Sequence, residues 1–404
     1  MVFTLGSAVA VLFSIAAAQI LLGLSIAGLL IIRARPRLPP IVLPLGLFII
    51  GTLLAWVISP DLRRGLPQVR KLYVFLTLPV VYMVLRDLGI LRRLAIGWFV
   101  SGIAISGIAL LQFQQKYAAA QAAGEDFYSS YVGRRITGFM SHWMTFGGEM
   151  MVILLVLIAY VLFAPRERNR WMRWVWLASL VPMFACFLLG LTRGIWIGAA
   201  AGGIYLLWSW KRWTVALLPV AFAIAMIAAP PAVRSRVVSI VRPTERDSNA
   251  HRVVTWRTGV EMIKANPVFG VGLEQVPVRF HEYIPLDIPR PLPEGWYEHL
   301  HNIYLQYAAE RGIPFLLVFL WLVGTILRDF HKALRKGTPG LSNRRFLLHA
   351  GIAVIIATLT AGMFEHNLGD SEVLQLFLTI VACGYIAAES NESSRDPRNE
   401  AAKA

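Results

Sequence analysis

One histidine and a few arginines carry the chemistry legible in this chain. His301-Asn302 opens an apolar run in the register His301-Asn302-Ile303-Tyr304-Leu305-Gln306, followed by Glu310-Arg311-Gly312. A histidine at a helix N-terminus faces the positive end of the helix dipole, which favours the neutral, proton-accepting ring. That form suits a general base near neutral pH, with Asn302 beside it as a substrate contact. The alternative is a solvated histidine at a membrane surface, with His281 and His299 close by in sequence. Arg193, in Leu191-Thr192-Arg193-Gly194-Ile195-Trp196, stands between two apolar runs. A charge held in a bilayer costs about 2.5 kcal/mol or more, so it is kept for an ion, a substrate or a buried partner. Otherwise it snorkels to lipid phosphates. Arg252 precedes Trp256 by four residues, on one face of a basic amphipathic run that either binds substrate or rests on anionic lipid. Asp370 closes the polar group Phe364-Glu365-His366-Asn367-Leu368-Gly369-Asp370, read as an orienting carboxylate in a surface loop. Arg64, Arg70 and Lys71, with Arg63, either steer anionic substrate or bind headgroups.

Arginine and a neutral histidine suit one kind of chemistry. The planar guanidinium fork matches two phosphate oxygens and stays charged at any relevant pH. The chain has no Asp-x-Asp pair of the kind that holds Mg²⁺ against pyrophosphate. It has no phosphate-cradling glycine loop, His-Glu-x-x-His or Gly-x-Ser-x-Gly. If pyrophosphate is handled here, arginine replaces the metal, and no cofactor is expected.

The elements that must position these residues are membrane helices. The 404 residues are 57% hydrophobic and only 15% charged, with mean hydropathy +0.60. Long apolar runs recur along the chain and predict an all-α polytopic membrane protein, with about 11–12 transmembrane helices. A β-barrel is excluded, because its strands would alternate apolar and polar residues. The expected spans are 5–32, 40–59, 71–86, 92–114, 143–164, 172–190, 194–209, 213–229, 303–327, 346–363 and 371–388. The first is one tilted helix or a short helical hairpin. Met1 opens directly into apolar sequence, so no cleaved signal peptide is expected. Cys186 and Cys383 lie inside apolar runs and read as packing residues.

Basic loops set the orientation. Arg33, Arg35 and Arg37, then Arg86, Arg92 and Arg93, fall inside. So do Arg166, Arg168, Arg170 and Arg173, then Lys211 and Arg212, and the loop from Arg328 to Arg345. Yet nearly half of the 39 Lys and Arg fall outside, against the usual bias. The net charge of +16 is explained by anchoring and by this outer group, not by nucleic acid. The division is 1–229 N-terminal transmembrane helices, 230–302 a periplasmic loop, 303–390 C-terminal transmembrane helices and 391–404 a disordered cytoplasmic tail. The long loop is expected to hold amphipathic helices. Pro230-Pro231 starts one, with Val233, Val237, Ile240 and Val241 on one face and Arg234 and Arg236 on the other. His251 to Lys264 forms the next, ended by Asn266-Pro267.

These motifs in order give the chain a family resemblance. Thr192-Arg193-Gly194, then Arg252 and Trp256, Asn266-Pro267-Val268-Phe269-Gly270-Val271-Gly272, His301-Asn302-Ile303-Tyr304-Leu305-Gln306 with Glu310 and Gly312, and Phe364-Glu365-x-Asn367-Leu368 with Asp370 follow one another. In this the chain resembles the O-antigen ligase and polymerase superfamily of bacterial inner-membrane glycosyltransferases. One departure is Phe315, where family members often carry a second glycine three residues after Gly312. That affects helix packing more than chemistry.

The resemblance implies a GT-C-like helical fold acting at the periplasmic face of the inner membrane without metal. The ligase moves O-antigen glycan from undecaprenyl pyrophosphate to lipid A-core. On that pattern Arg193 and Arg252 hold the pyrophosphate, His301 is the catalytic base, and Asp370 matches an acidic position that matters in the family. A polymerase would use the same donor with a lipid-linked glycan as acceptor. It often divides its periplasmic mass between two sizeable loops, whereas this chain has one long loop and one much shorter. A transporter of anionic lipid would instead place ionisable residues near mid-bilayer.

Overall fold

The computed structural model describes residues 1–167, 169–241 and 249–390. Arg168 and the tail 391–404, both expected on the cytoplasmic side, lie outside the described residues. Within them the chain is helical throughout, with no strand. The helices are α1 (Val2–Ala10), α2 (Ile15–Ile31), α3 (Val42–Val57), α4 (Leu62–Lys71), α5 (Thr77–Val84), α6 (Leu88–Ala122), α7 (Phe127–Gly133), α8 (Trp143–Phe163) and α9 (Arg170–Leu189). They continue with α10 (Arg193–Trp210), α11 (Leu218–Ala228), α12 (Pro231–Val241), α13 (Asn249–Ala265), α14 (Val276–Arg279), α15 (Ile303–Arg311), α16 (Ile313–Lys336), α17 (Asn343–Ala361) and α18 (Ser371–Glu389).

Six of these, α6, α8, α9, α16, α17 and α18, are long and apolar enough to cross a membrane by length and composition. The helices over Ile15–Ile31, Val42–Val57 and Arg212–Ala228 are apolar but shorter. The fold is thus the expected all-α polytopic membrane protein. Its first expected span is the hairpin: Ser14 caps α2 by accepting from the Ala17 amide, and Thr4 and Ser25 hydroxyls meet at 2.6 Å across the pair. Over the expected span 71–86, a 3₁₀ turn at Leu72–Leu76 follows α4 and runs directly into α5.

The centre is α8, α10, α17 and α18. On α10, Gly198 and Gly202 lie against the Ala357 and Ala353 carbonyls of α17, where a Cβ would collide. Small residues allow that close backbone approach, which supplies packing where lipid removes the hydrophobic driving force. Cys186 and Cys383 are buried and unbridged, as packing residues.

The expected span 303–327 is split. Gly312 takes φ +89°, between α15 and α16, and Pro314 begins the second helix. The split serves the long loop. Val271 and Gly272 amides donate to the Ala309 and Glu310 carbonyls at 2.7 and 3.1 Å, and the Ile313 amide donates to the Pro267 carbonyl at 2.8 Å. Helix C-terminal carbonyls and the break are thereby satisfied by loop backbone. Gly270, at φ +71°, packs against the Glu310–Arg311 peptide, and Gly312 packs against Val268. The loop has its own apolar core, including Val254, Met262, Phe280 and Leu300, shared with Ala309 of α15. Gly270→Ala should therefore cost about 1–2 kcal/mol from the left-handed backbone alone, more with the clash. A thermal-unfolding midpoint in detergent equal to wild type would contradict this docking.

Candidate functional site

Six segments converge on one polar cavity of about 580 Å³. Arg135 comes from the connection between α7 and α8, and His142 caps α8, its Nδ1 accepting from the Met144 amide at 3.2 Å. Thr192 and Arg193 open α10, Arg236 comes from α12, and His251 and Arg252 come from α13. Trp296, His299 and His301 precede α15, and Glu365, His366, Asn367 and Asp370 lie between α17 and α18. The cavity thus lies where α8 and α10 begin and α9 ends.

Its centre is a carboxylate shared by two bases. Glu365, 2% exposed, is ion-paired with the Arg252 guanidinium and lies 3.5 Å from His301 Nδ1. Burial alone would raise its carboxyl. The His301 hydrogen bond and the charges of Arg252 and of the neighbouring histidines outweigh that and hold it below the usual carboxylate range. His301 Nε2 stands 3.1 Å from the Trp296 carbonyl, which also contacts His251 Nε2 at 2.8 Å. Carbonyl and carboxylate both only accept, and a neutral imidazole has a single N–H, so the ring donates to one of them at a time.

The helix-dipole expectation for His301 needs correction. Asn302, not His301, caps α15, its Oδ1 accepting from the Tyr304 and Leu305 amides at 2.9 and 3.0 Å. Asn302 Nδ2 donates to the Met363 carbonyl at 3.0 Å. The helix end is already occupied, and the His301 ring turns to Glu365 instead. His301 reaches that position with φ +48°, and Leu191, just before Thr192-Arg193, with φ +47°. Such backbone costs about 1–3 kcal/mol per residue and persists only where its surroundings enforce it.

Arg193 is 5% exposed, and its Nη1 donates to the Ser239 carbonyl and hydroxyl at 2.9 and 3.0 Å. Arg236 Nε donates to the Leu191 carbonyl at 3.1 Å. The start of α10 and helix α12 thus hold each other through two arginines. Helical periodicity places Arg234 and Arg236 together on the face opposite the apolar residues. Arg234 is exposed, whereas Arg236 is 6% exposed and lines the cavity.

Asp370 is tied to the Thr145 hydroxyl at 2.9 Å. Burial raises its carboxyl, while the Thr145 hydrogen bond and Lys71 oppose the rise. Lys71 reaches this group by donating to the Gly369 carbonyl at 2.8 Å. Arg64 and Arg70 are exposed on α4 and do not line the cavity; Arg64 lies 3.7 Å from Asp61. The surface-loop reading of 364–370 is also corrected: Glu365 and Asn367 are buried, because Arg252, His301 and the Thr358 carbonyl pair with them.

Sequence reasoning missed Arg135. It is 8% exposed, lies 5.0 Å over the Trp143 ring, and its Nε meets no hydrogen-bond partner. Burial and the Arg236 charge disfavour its cation, and Glu365 partly offsets them. The pair Arg134-Arg135 before an apolar Ile136 was the available signal. Three of the other histidines are shifted away from the charged form. Burial first, then His301, pushes His299 down to about 3. Burial and nearby cations push His366 well below its ordinary value, and burial with Arg135 lowers His142.

Fold and site together define a polytopic α-helical membrane protein whose cavity concentrates arginine and histidine around one buried carboxylate. A family model described as O-antigen ligase matches residues 178–320, and over that stretch the chain is similar to this family. The matched stretch carries Arg193, Arg236, Arg252 and His301, while Arg135, Glu365 and Asp370 lie outside it. No curated protein matches the chain.

A double-mutant cycle tests the centre. Removing one partner of a buried ion pair costs about 3–5 kcal/mol because the other charge is left uncompensated. Arg252→Ala and Glu365→Ala should each destabilise strongly, and the double variant by much less than their sum. Additive losses in detergent unfolding would mean that the two side chains do not depend on each other.

Proposed function

We propose that this chain is an inverting, metal-independent glycosyltransferase of the ligase type. It transfers O-antigen glycan from undecaprenyl pyrophosphate to lipid A-core at the periplasmic face of the bacterial inner membrane. The observation that carries the reading is His301 held against Glu365 inside a cavity lined by Arg135, Arg193, Arg236 and Arg252. Four guanidinium groups against two carboxylates leave the cavity positive, which suits an anionic leaving group. The family match supports the donor and acceptor classes.

In this reading the acceptor hydroxyl oxygen attacks the anomeric carbon of the donor glycan. The bond from that carbon to the pyrophosphate oxygen breaks, and configuration inverts. The hydroxyl proton passes to His301. Glu365 orients the ring through Nδ1 and balances the positive charge that the proton brings. Nε2 then receives the proton, and the acceptor hydroxyl displaces the Trp296 carbonyl that now faces it. Arg193 and Arg252 meet the pyrophosphate, with Arg135 as a further contact. Their charges stabilise the leaving group. Asp370, fixed by Thr145 and Lys71, shapes the acceptor end. Lipid anchoring of both substrates in one leaflet raises their effective concentration.

The decisive test supplies purified protein with undecaprenyl-pyrophosphate glycan and lipid A-core in the presence of EDTA. Glycan on lipid A-core establishes a metal-independent ligase. Longer lipid-linked chains without transfer make the chain an O-antigen polymerase using the same cavity. Product only when metal is restored removes the metal-free mechanism, and no product at all favours transport of the lipid-linked glycan. His301→Ala should lower turnover at least about 100-fold in folded protein; near-normal turnover removes it as base. Arg135→Ala should weaken donor affinity about tenfold, the scale of one lost charge-assisted hydrogen bond. Unchanged donor affinity excludes Arg135 from the anion contacts.

A further inference from the structure

The helices that begin or end at the candidate site have a second cavity at their other ends. It measures about 560 Å³ and is formed where α8 and α10 finish and α9 starts, closed on one side by Leu341. Its rim carries Arg166, Arg173 and Lys211. The carboxylate in its wall, Glu167, is already taken by Arg92 at 2.8 Å and by the Tyr160 hydroxyl. Among the described residues Arg166, Arg173 and Lys211 form no ion pair; Lys211 lies 4.9 Å over the Trp210 ring. Three cations therefore surround a concavity whose own carboxylate is neutralised.

The walls below the rim are apolar, from Val161, Leu162 and Leu177. Trp171, Trp174 and Trp213 stand exposed on the flanking helix ends. Exposed tryptophans at helix ends mark the headgroup level of a bilayer. An amphipathic cavity at that level, cationic at the rim and apolar below, fits a phosphate group that carries acyl chains. Scattered anchoring arginines need no such concavity. We propose that this cavity binds the phosphate headgroup of an anionic glycerophospholipid from the leaflet facing away from the candidate site. Arg166, Arg173 and Lys211 hold the phosphate, and Leu162 and Leu177 take the first part of an acyl chain.

Native mass spectrometry of the full, delipidated protein titrated with phosphatidylglycerol or phosphatidylcholine tests this. The variant Arg166→Ala/Arg173→Ala/Lys211→Ala is compared with Lys332→Ala/Arg335→Ala/Lys336→Ala, which removes equal charge from the C-terminal end of α16. The expected result is phosphatidylglycerol retained by wild type and by the second variant, with affinity down about tenfold or more in the first. Equal loss in both variants means a diffuse surface field and overturns the site. Equal retention of phosphatidylcholine overturns the role of headgroup charge. Full displacement by millimolar inorganic phosphate assigns the cavity to a soluble phosphate and overturns the lipid. Circular dichroism matching wild type keeps a loss in the first variant from being a folding defect; if that variant unfolds, Arg173→Gln alone must still lower the affinity.

Discussion

Glu365 is buried between the Arg252 guanidinium and the His301 ring, and a carboxylate so placed persists only beside positive partners. The surrounding architecture answers to that pairing. Arg252 must come down from α13 in the long loop, His301 from the approach to α15, and Glu365 from the turn joining α17 and α18. These segments are far apart in sequence, so the ion pair fastens the loop to the helical bundle at the point where the chemistry is read. The left-handed backbone at His301 and Leu191 lies at the same place. Local conformation there is subordinate to where the side chains must point.

A second fastening works without side chains. The stretch from Pro267 to Gly272 lies along the end of α15 and the break at Gly312, exchanging backbone hydrogen bonds with it. Gly270 and Gly312 are required by close approach and by positive φ together. This explains why an apolar span stops after Arg311. Its last turn is a docking edge for the loop, and the span restarts beyond.

Much of this was legible because membrane helices obey strong composition rules. The all-α class, the hairpin alternative for the first span and α13 with its end at Ala265 followed from apolar runs and from where they stop, and Arg193, Arg252 and His301, singled out by their charge and position, line one cavity. What stayed hidden depends on tertiary contact. Periodicity set Arg236 with Arg234 on the non-apolar face because it cannot see that α12 lies against the start of α10. Glu365 looked like surface loop because its partners come from α13 and from the approach to α15. Asn302 was grouped with substrate contacts, where its position one residue before α15 marks a cap. Arg135 had only its neighbour Arg134 to draw notice.

Five histidines around one cavity look, by residue type, like an acid sensor. Burial shifts three of them away from the charged form. His299 stays uncharged down to about pH 3, and His142 and His366 are displaced in the same direction. The positive charge of the cavity comes from guanidinium groups, which hold a proton far more tightly than imidazole does, so its field owes little to these rings. Acidifying the medium would leave that part of the attraction unchanged, because it comes from guanidinium groups rather than from imidazoles.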